Sequence, residues 1–343
     1  AYETLRLELD EVAPDWQWTG DQLRSAAREK AVLSEQARLL LEEGILTAPG
    51  GGALREPARG ELVVLWASIQ GQLHAFALSA GGLLHVPLGP IDLSAPPPAL
   101  AEALLGPLAE AIAAAERLTL LPPAVLRDID LHALPLDGVP LGLRLPTAYA
   151  LDVVAGSPAP DGPAVIVADP LGDLPGAARE GDAIAAAYAQ HGRPARRLHG
   201  AALRRGALLG ALQSTSMLHF AGHGLFDADA WESALLLADG TTLTVGDILA
   251  LPAAPRLVVL SGCETARAAE GTVETLGLAQ AFLLAGSQEV VAATRPVRDD
   301  TSRRFSIAWH RAYLQAHDPA AAWRAGVEAI SEADWSTFRR IHP

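Results

Sequence analysis

The chain has 343 residues, half of them hydrophobic, with 40 acidic against 26 basic side chains and a formal net charge of -14. That size can bury one large or two ordinary cores, and domain statistics favour two. The acidic balance speaks against duplex nucleic acid as a partner, because phosphate binding needs clustered cations.

No apolar run approaches the roughly 20 residues needed to span a bilayer, so no membrane association is expected. Cys263 is the only cysteine, which forbids an intrachain disulfide and fits a reducing, cytoplasmic setting. Lys30 is the only lysine among the 26 basic residues, a bias that fits a GC-rich bacterial genome.

Residues 1–18 alternate apolar and polar around Leu5, Leu7, Leu9 and Val12, which predicts a strand. From Asp21 to Glu43 apolar residues recur at helical spacing, with Gly44 as the stop. Three strand-like runs follow, Leu62–Ile69, Gln72–Leu78 and Leu83–Leu88, broken at Gln70-Gly71 and Ala80-Gly81-Gly82 as in an antiparallel meander. Leu100–Ala115 reads as a helix, Arg117–Leu121 as a strand, and Leu126–Leu145 as a strand and turn packed on the sheet edge. Ala155–Pro163 breaks the pattern and divides the chain into residues 1–160, a smaller β-rich module with a long helix, and residues 161–343.

The second part repeats strand then helix, the pattern of a mostly parallel sheet flanked by helices in an α/β fold. The predicted strands are Ala164–Ala168, Ala195–Leu198, Met217–Ala221, Arg256–Leu260 and Glu289–Ala293, with a small hairpin over 234–243 and Thr244 capping a short helix. Helices are predicted over Gly176–Gln190, Ala201–Leu212, Thr272–Ala285, 300–316 and 319–332, and a closing segment runs to Pro343.

Two of these strands run straight into reactive side chains. Met217–Ala221 leads to Gly222-His223-Gly224, and Arg256–Leu260 leads to Ser261-Gly262-Cys263-Glu264-Thr265. Chemistry in open α/β sheets gathers beyond the carboxyl ends of the strands, so an imidazole and a thiol on neighbouring tips would face each other. A lone cysteine is more often a small buried hydrophobe, and a histidine within a strand a satisfied core residue. His219, opposite in face to Phe220, fits that bland reading. His223, between two glycines beyond the strand, does not. Gly262 lets the backbone turn at the tip and present N–H groups to an anion.

Leu218-His219-Phe220-Ala221-Gly222-His223-Gly224 and Val258-Val259-Leu260-Ser261-Gly262-Cys263-Glu264-Thr265-Ala266 resemble the histidine and cysteine motifs of CHAT domains, bacterial relatives of the caspase, separase and gingipain cysteine peptidases. Ser233–Leu237, Leu276–Gly286, Leu134-Pro135-Leu136 and Leu174–Ala177 fit as well, so the resemblance covers most of residues 60–343. It implies a caspase-like sheet and a cysteine endopeptidase that cleaves a protein substrate with a His223–Cys263 dyad. The backbone amides of Gly224 and Cys263 would hold the oxyanion, and the first 160 residues could be a non-catalytic caspase-like half. No cofactor and no metal are implied.

A regulatory partner or a fused repeat or sensor module is expected to gate activity. The family usually has tryptophan where this chain has Arg295 and an acid where it has Arg298; the loop Arg295–Ser302 should border the cleft and be ordered by a partner or substrate. Asp169, Glu264 and Asp299 are candidate substrate-binding acids, with Asp169 suited to a basic residue before the cut. A pocket around Phe226 and Trp231 would instead favour an aliphatic residue. No acidic third member of the dyad is assigned, although Asp227 and Glu264 are near in sequence. The competing expectation is a caspase-like scaffold that binds a partner without cleaving it.

Overall fold

Short apolar runs alternate with alanine- and leucine-rich stretches along the chain, and these become strands and helices in the structure. It is a computed structural model and describes residues 2–11, 20–47, 56–151, 160–199, 203–225, 233–261, 277–330 and 335–342. Helices α1 (Tyr2–Glu11) and α2 (Gly20–Thr47) precede strands β1 (Glu61–Ile69), β2 (Gln72–Ser79) and β3 (Gly82–Gly89). Next come α3 (Pro97–Leu104), α4 (Ala109–Ala113), β4 (Arg117–Leu121), β5 (Pro135–Leu136), β6 (Val139–Pro140), α5 (Leu141–Arg144) and β7 (Thr147–Ala150). The second half holds β8 (Ala164–Ala168), α6 (Pro175–Gln190), β9 (Ala195–Leu198), α7 (Arg205–Leu212), β10 (Met217–Ala221), β11 (Gly224–Leu225), β12 (Ala234–Leu236) and β13 (Thr242–Thr244). It closes with α8 (Val245–Leu249), β14 (Leu257–Leu260), α9 (Leu278–Leu284), β15 (Glu289–Ala293), α10 (Asp299–Ala316), α11 (Pro319–Glu328) and β16 (Phe338–His342).

Among the described residues, eleven strands form one sheet in the order β3-β2-β1-β4-β7-β16-β15-β14-β10-β8-β9. Neighbours run parallel except within the β1–β2–β3 meander and between β15 and β16. Strands from both halves of the chain therefore share one sheet, meeting where Ile341 of β16 pairs with Tyr149 of β7. This is the mostly parallel, helix-flanked α/β architecture that the alternating pattern predicts.

The central strands are buried on both faces, which is why they read as continuous apolar runs. In β10, Leu218 and Phe220 face a core shared with α3, α7, α8 and α9, while Met217 and Ala221 face one shared with α6, α10 and α11. Each large side chain so buried contributes about 1.5–3 kcal/mol. Among the described residues, no helix is long and apolar enough to cross a membrane.

Several local expectations are corrected. Residues 2–11 are helical: Tyr2 and Arg6, four apart and so on one helix face, both reach Asp247 at 3.3 Å, and α1 packs on α2. The helix expected over 100–115 breaks at Gly106–Leu108, where Pro107 has no N–H to continue it. Residues 126–145 form short turns, a two-residue hairpin and α5, not a sheet-edge strand; the strand there is β7, inside the sheet between β4 and β16. The closing segment also enters the middle of the sheet as β16. Its Arg339 and Arg340 look too polar for a buried strand, but Arg339 meets Asp130 at 2.9 Å and Arg340 meets Glu289 at 2.8 Å. Opposite charges make those positions buriable.

Candidate active site

Strands β8, β10 and β14 lie side by side and end level with one another. Leu218 pairs with Val165 and Val258, and Phe220 with Val167 and Leu260. The ladder continues one residue further on each side: the Asp169 amide donates to the Ala221 carbonyl at 2.8 Å, and the Ser261 amide to the Phe220 carbonyl at 2.7 Å. The chain thus leaves for His223 on the central strand and for Cys263 on its neighbour, at the same edge. Cys263, Glu264, Asp227, Phe226 and Trp231 lie outside the described residues.

His223 is fixed from several directions. At Gly222 a Cβ would run into Pro170 and the Phe220 ring, so only glycine lets the chain pass between them. The His223 carbonyl accepts from the Leu236 amide at 3.0 Å, and Gly224 pairs with Leu235 in the small β11–β12–β13 sheet. The ring Nε2 sits 3.1 Å from both carboxylate oxygens of Asp173. With Nε2 turned to a carboxylate, Nδ1 is the nitrogen left to exchange a proton with a neighbouring group. The pair is solvated, His223 at 40% and Asp173 at 57% exposure. Its contribution to stability is therefore small, and its effect is to orient the ring.

Asp173 was not singled out in the sequence. The available signal was its place between the end of β8 and the proline that starts α6, a loop that must pass the tip of β10.

Asp169 shapes that loop. It adopts φ +52, a left-handed conformation uncommon outside glycine, and its Oδ1 accepts from the Leu174 amide at 2.9 Å. Its carboxylate is thus turned toward the turn that presents Asp173. Asp299, exposed in the first turn of α10, fills the space that a side chain at Gly176 would take, beside the first turn of α6. A carboxylate there is favoured by the α6 dipole.

The segment Arg295–Ser302 is not one loop. Residues 299–302 form the first turn of α10, and Ser302 bonds Ser261 at 2.7 Å. Arg295 reaches Asp130 at 2.8 Å, and Arg298 pairs with Asp300 at 3.1 Å. A cavity of about 390 Å³, lined by Tyr188, Arg193, Arg256, Tyr313 and His317 among others, opens at the opposite end of β8 and β10 from His223. Among the described residues, no group of three His, Cys, Asp or Glu side chains could hold a metal ion.

Beneath the strand tips lies a set of buried polar side chains. His219 points to the face opposite Phe220, as expected, with no exposed surface. Its Nδ1 is 3.1 Å from Nε2 of His310, and its Nε2 is 3.0 Å from Glu180, off the line of a formed hydrogen bond. Burial, and secondarily the neighbouring His219, hold the His310 pKa well below the usual histidine value, so this ring is neutral.

The family model of the CHAT domain matches residues 95–339, well over half of the chain. Among solved structures, the chain is similar to the Arg-specific cysteine proteinase gingipain R (RgpB), at 12% identity and a TM-score of 0.50, over 71% of this chain and 67% of that one. The complex of Porphyromonas gingivalis RgpB pro- and mature domains gives the same identity and TM-score, with 68% of that chain covered. Saccharomyces cerevisiae separase, in its complex with securin, is similar at 12% identity and a TM-score of 0.50, over 99% of this chain. This chain spans only 28% of the separase chain. Likeness at such identities concerns the fold. Curated protein sequences give no match. The fold is that of the caspase-like cysteine peptidases, and by the match across residues 95–339 the chain belongs to the CHAT domain family.

Proposed function

We propose that this protein is a cysteine endopeptidase that cleaves a specific protein substrate with His223 and Cys263 as a dyad. The observation that carries the reading is the position of His223, at the tip of the strand beside the one that runs into Cys263, with its Nε2 against Asp173.

In the reading that this geometry supports, the His223 Nε2–H donates to Asp173, which leaves Nδ1 as acceptor for the thiol proton. The Cys263 sulfur attacks the scissile carbonyl carbon, and the resulting oxyanion is held by the Gly224 and Cys263 amides. Collapse breaks the C–N bond as His223 gives its proton to the leaving amine. His223 next takes a proton from water, the hydroxide attacks the thioester carbon, and the C–S bond breaks to release the new carboxyl terminus and the free thiol. Positioned proton transfer of this kind is worth about 10²–10⁴-fold.

Residues 161–343 carry the dyad in this proposal, and residues 1–160 form a supporting module with the long α2. Gating by a regulatory partner or a fused repeat or sensor module, in a bacterial cytoplasm, belongs to the same proposal. Cleavage of a peptide library by the wild type, Cys263→Ala and His223→Ala tests it. Both variants should lose cleavage while keeping the fold, and iodoacetamide should alkylate Cys263 more slowly in His223→Ala. Equal alkylation rates with no wild-type cleavage would favour the binding scaffold.

A further inference from the structure

The helix that follows β15 carries a polar stripe that the chemistry above does not use. Ser302, Ser306 and His310 recur every four residues along α10, so they lie on one face. All three are buried, at 7%, 1% and 0% exposure. The Ser302 and Ser261 hydroxyls are 2.7 Å apart, and the Ser306 hydroxyl donates to the Ser261 hydroxyl at 3.2 Å. One turn further on, His310 meets His219 at 3.1 Å.

The two partners of this stripe are the two strands of the proposed dyad. Ser261 is the first residue beyond β14, two before Cys263, and His219 is in β10, four before His223. On its far side His219 faces Glu180 of α6, the helix whose leading loop carries Asp173.

We propose that Ser302, Ser306 and His310 are positioning residues that anchor the exit of β14 at Ser261 and the seat of β10 at His219 to one helix, and so guide the meeting of Cys263 with His223. The inference rests on the dyad reading. Its physical basis is directionality. Phe305 and Trp309, on adjoining faces of α10, pack in the same core, Phe305 stacked on Phe338 at 4.0 Å, while the stripe adds directed bonds to two particular residues. A slide of one residue, about 1.5 Å, would break the Ser261 and His219 contacts together and leave buried polar groups without partners. The backbone ladder already levels the two strands; the stripe admits one axial setting of α10 and so holds the Ser261 side chain, where the chain turns off β14, in one place. An apolar stripe would bury this face too, but would leave the Ser261 hydroxyl unheld.

The test compares wild type with Ser302→Ala, Ser306→Ala, the double variant, and Ser302→Thr, which keeps the hydroxyl. It reads kcat and KM on a library-selected peptide, the pH profile of iodoacetamide alkylation of Cys263, and the urea midpoint. In the double variant kcat should fall about 10- to 100-fold with KM within about twofold. Its alkylation profile should move toward that of a free thiol, near pH 8.5. Ser302→Thr should stay close to wild type. A double variant with wild-type kcat and alkylation profile overturns the inference, as does a loss of kcat that follows the urea midpoint and vanishes on cooling. If the double variant does not fold, Ser302→Ala alone, in the first turn of α10, is read by the same two criteria. His223→Ala is profiled alongside. If it leaves the alkylation profile unchanged, the dyad reading falls and this inference with it; if it shifts the profile and the serine variants do not, only the positioning role falls.

Discussion

Asp173 and His223 stand fifty positions apart in sequence, yet both oxygens of the carboxylate lie 3.1 Å from the imidazole Nε2. The contact joins the loop after β8 to the tip of β10, and it selects Nδ1 as the nitrogen that would serve the thiol. Asp173→Asn removes the charge while keeping the shape. Its amide can present either an acceptor or a donor, so the ring loses a fixed orientation. Because the pair is solvated, the expected cost is moderate, roughly 10-fold in kcat with little change in KM. An unchanged kcat on a cleaved peptide would show that His223 needs no orienting carboxylate.

Asp169 offers a separation of charge from geometry. Asn at this position keeps an oxygen that can accept from the Leu174 amide, a contact of 2.9 Å, so the loop that presents Asp173 should stand. If the carboxylate also reads a basic residue before the cut, Asp169→Asn should lower turnover of an arginine peptide about 10²-fold, the loss of one charge-assisted hydrogen bond. A matched leucine peptide should be unaffected. Asp169→Ala removes the loop contact too and should slow both peptides. A wild-type preference for leucine would assign Asp169 to the loop alone.

Asp130 links the two halves of the chain: its carboxylate takes Arg295 at 2.8 Å and Arg339 at 2.9 Å. Burial raises its pKa, but the hydrogen bond and charge of Arg339 outweigh that and hold it below the ordinary aspartate value. Asp130→Ala leaves the buried Arg339 guanidinium without its carboxylate. The expected loss is about 3 kcal/mol, visible as a lower urea midpoint. A change within about 0.5 kcal/mol would mean that the Arg339 bonds to the Arg127 and Ile129 carbonyls suffice.

Acid sensitivity should set in near neutrality. Burial, and next the charge of Arg339, push the His132 pKa down to about 3, and His310 is lowered in the same direction. Unfolded chains bind these protons near pH 6.5 while the native state refuses them. Their contribution to stability is thus complete above pH 6.5 and is lost as pH falls below it, for His132 down toward pH 3 at about 1.4 kcal/mol per pH unit, with His310 adding to the loss in the same direction.

Glu289 adds a second, lower window. Burial raises its pKa, but Arg340 and His342 overcome this and bring it to about 2, so its contribution is lost as pH falls from 4.5 toward 2. Urea midpoints should therefore drop between pH 7 and 5, and less steeply in His310→Asn. A flat midpoint over that range would contradict neutral, buried histidines.

The strands that carry the site were legible because each is an apolar run ending in glycine. Val-Val-Leu before Ser261 and Leu-His-Phe-Ala before Gly222 read as buried strands because the runs are short and bounded by glycine, and residues that need a turn stand just beyond them. The same periodicity predicts α2, the meander and the capping of α8 by Thr244, where the Asp247 amide donates to the Thr244 hydroxyl at 3.2 Å. Local chemistry decides these features within a few residues of itself.

What the sequence could not determine was set by partners far along the chain. Residues 2–11 match a strand pattern, and the helix is chosen by contacts with Asp247 and α2. Phe-Arg-Arg-Ile-His becomes a central strand only because Asp130 and Glu289 wait on its two sides. Asp173, one acid among 40 acidic residues, is distinguished by a loop that folds back over the tip of β10. Sequence alone thus determined which strands are buried and that His223 follows the end of one of them, since hydrophobic periodicity is a local property. The carboxylate beside His223, and the buried bonds that tie α10 to Ser261 and His219, were decided by tertiary structure, because a charge or hydrogen-bond partner is selected by distance in space.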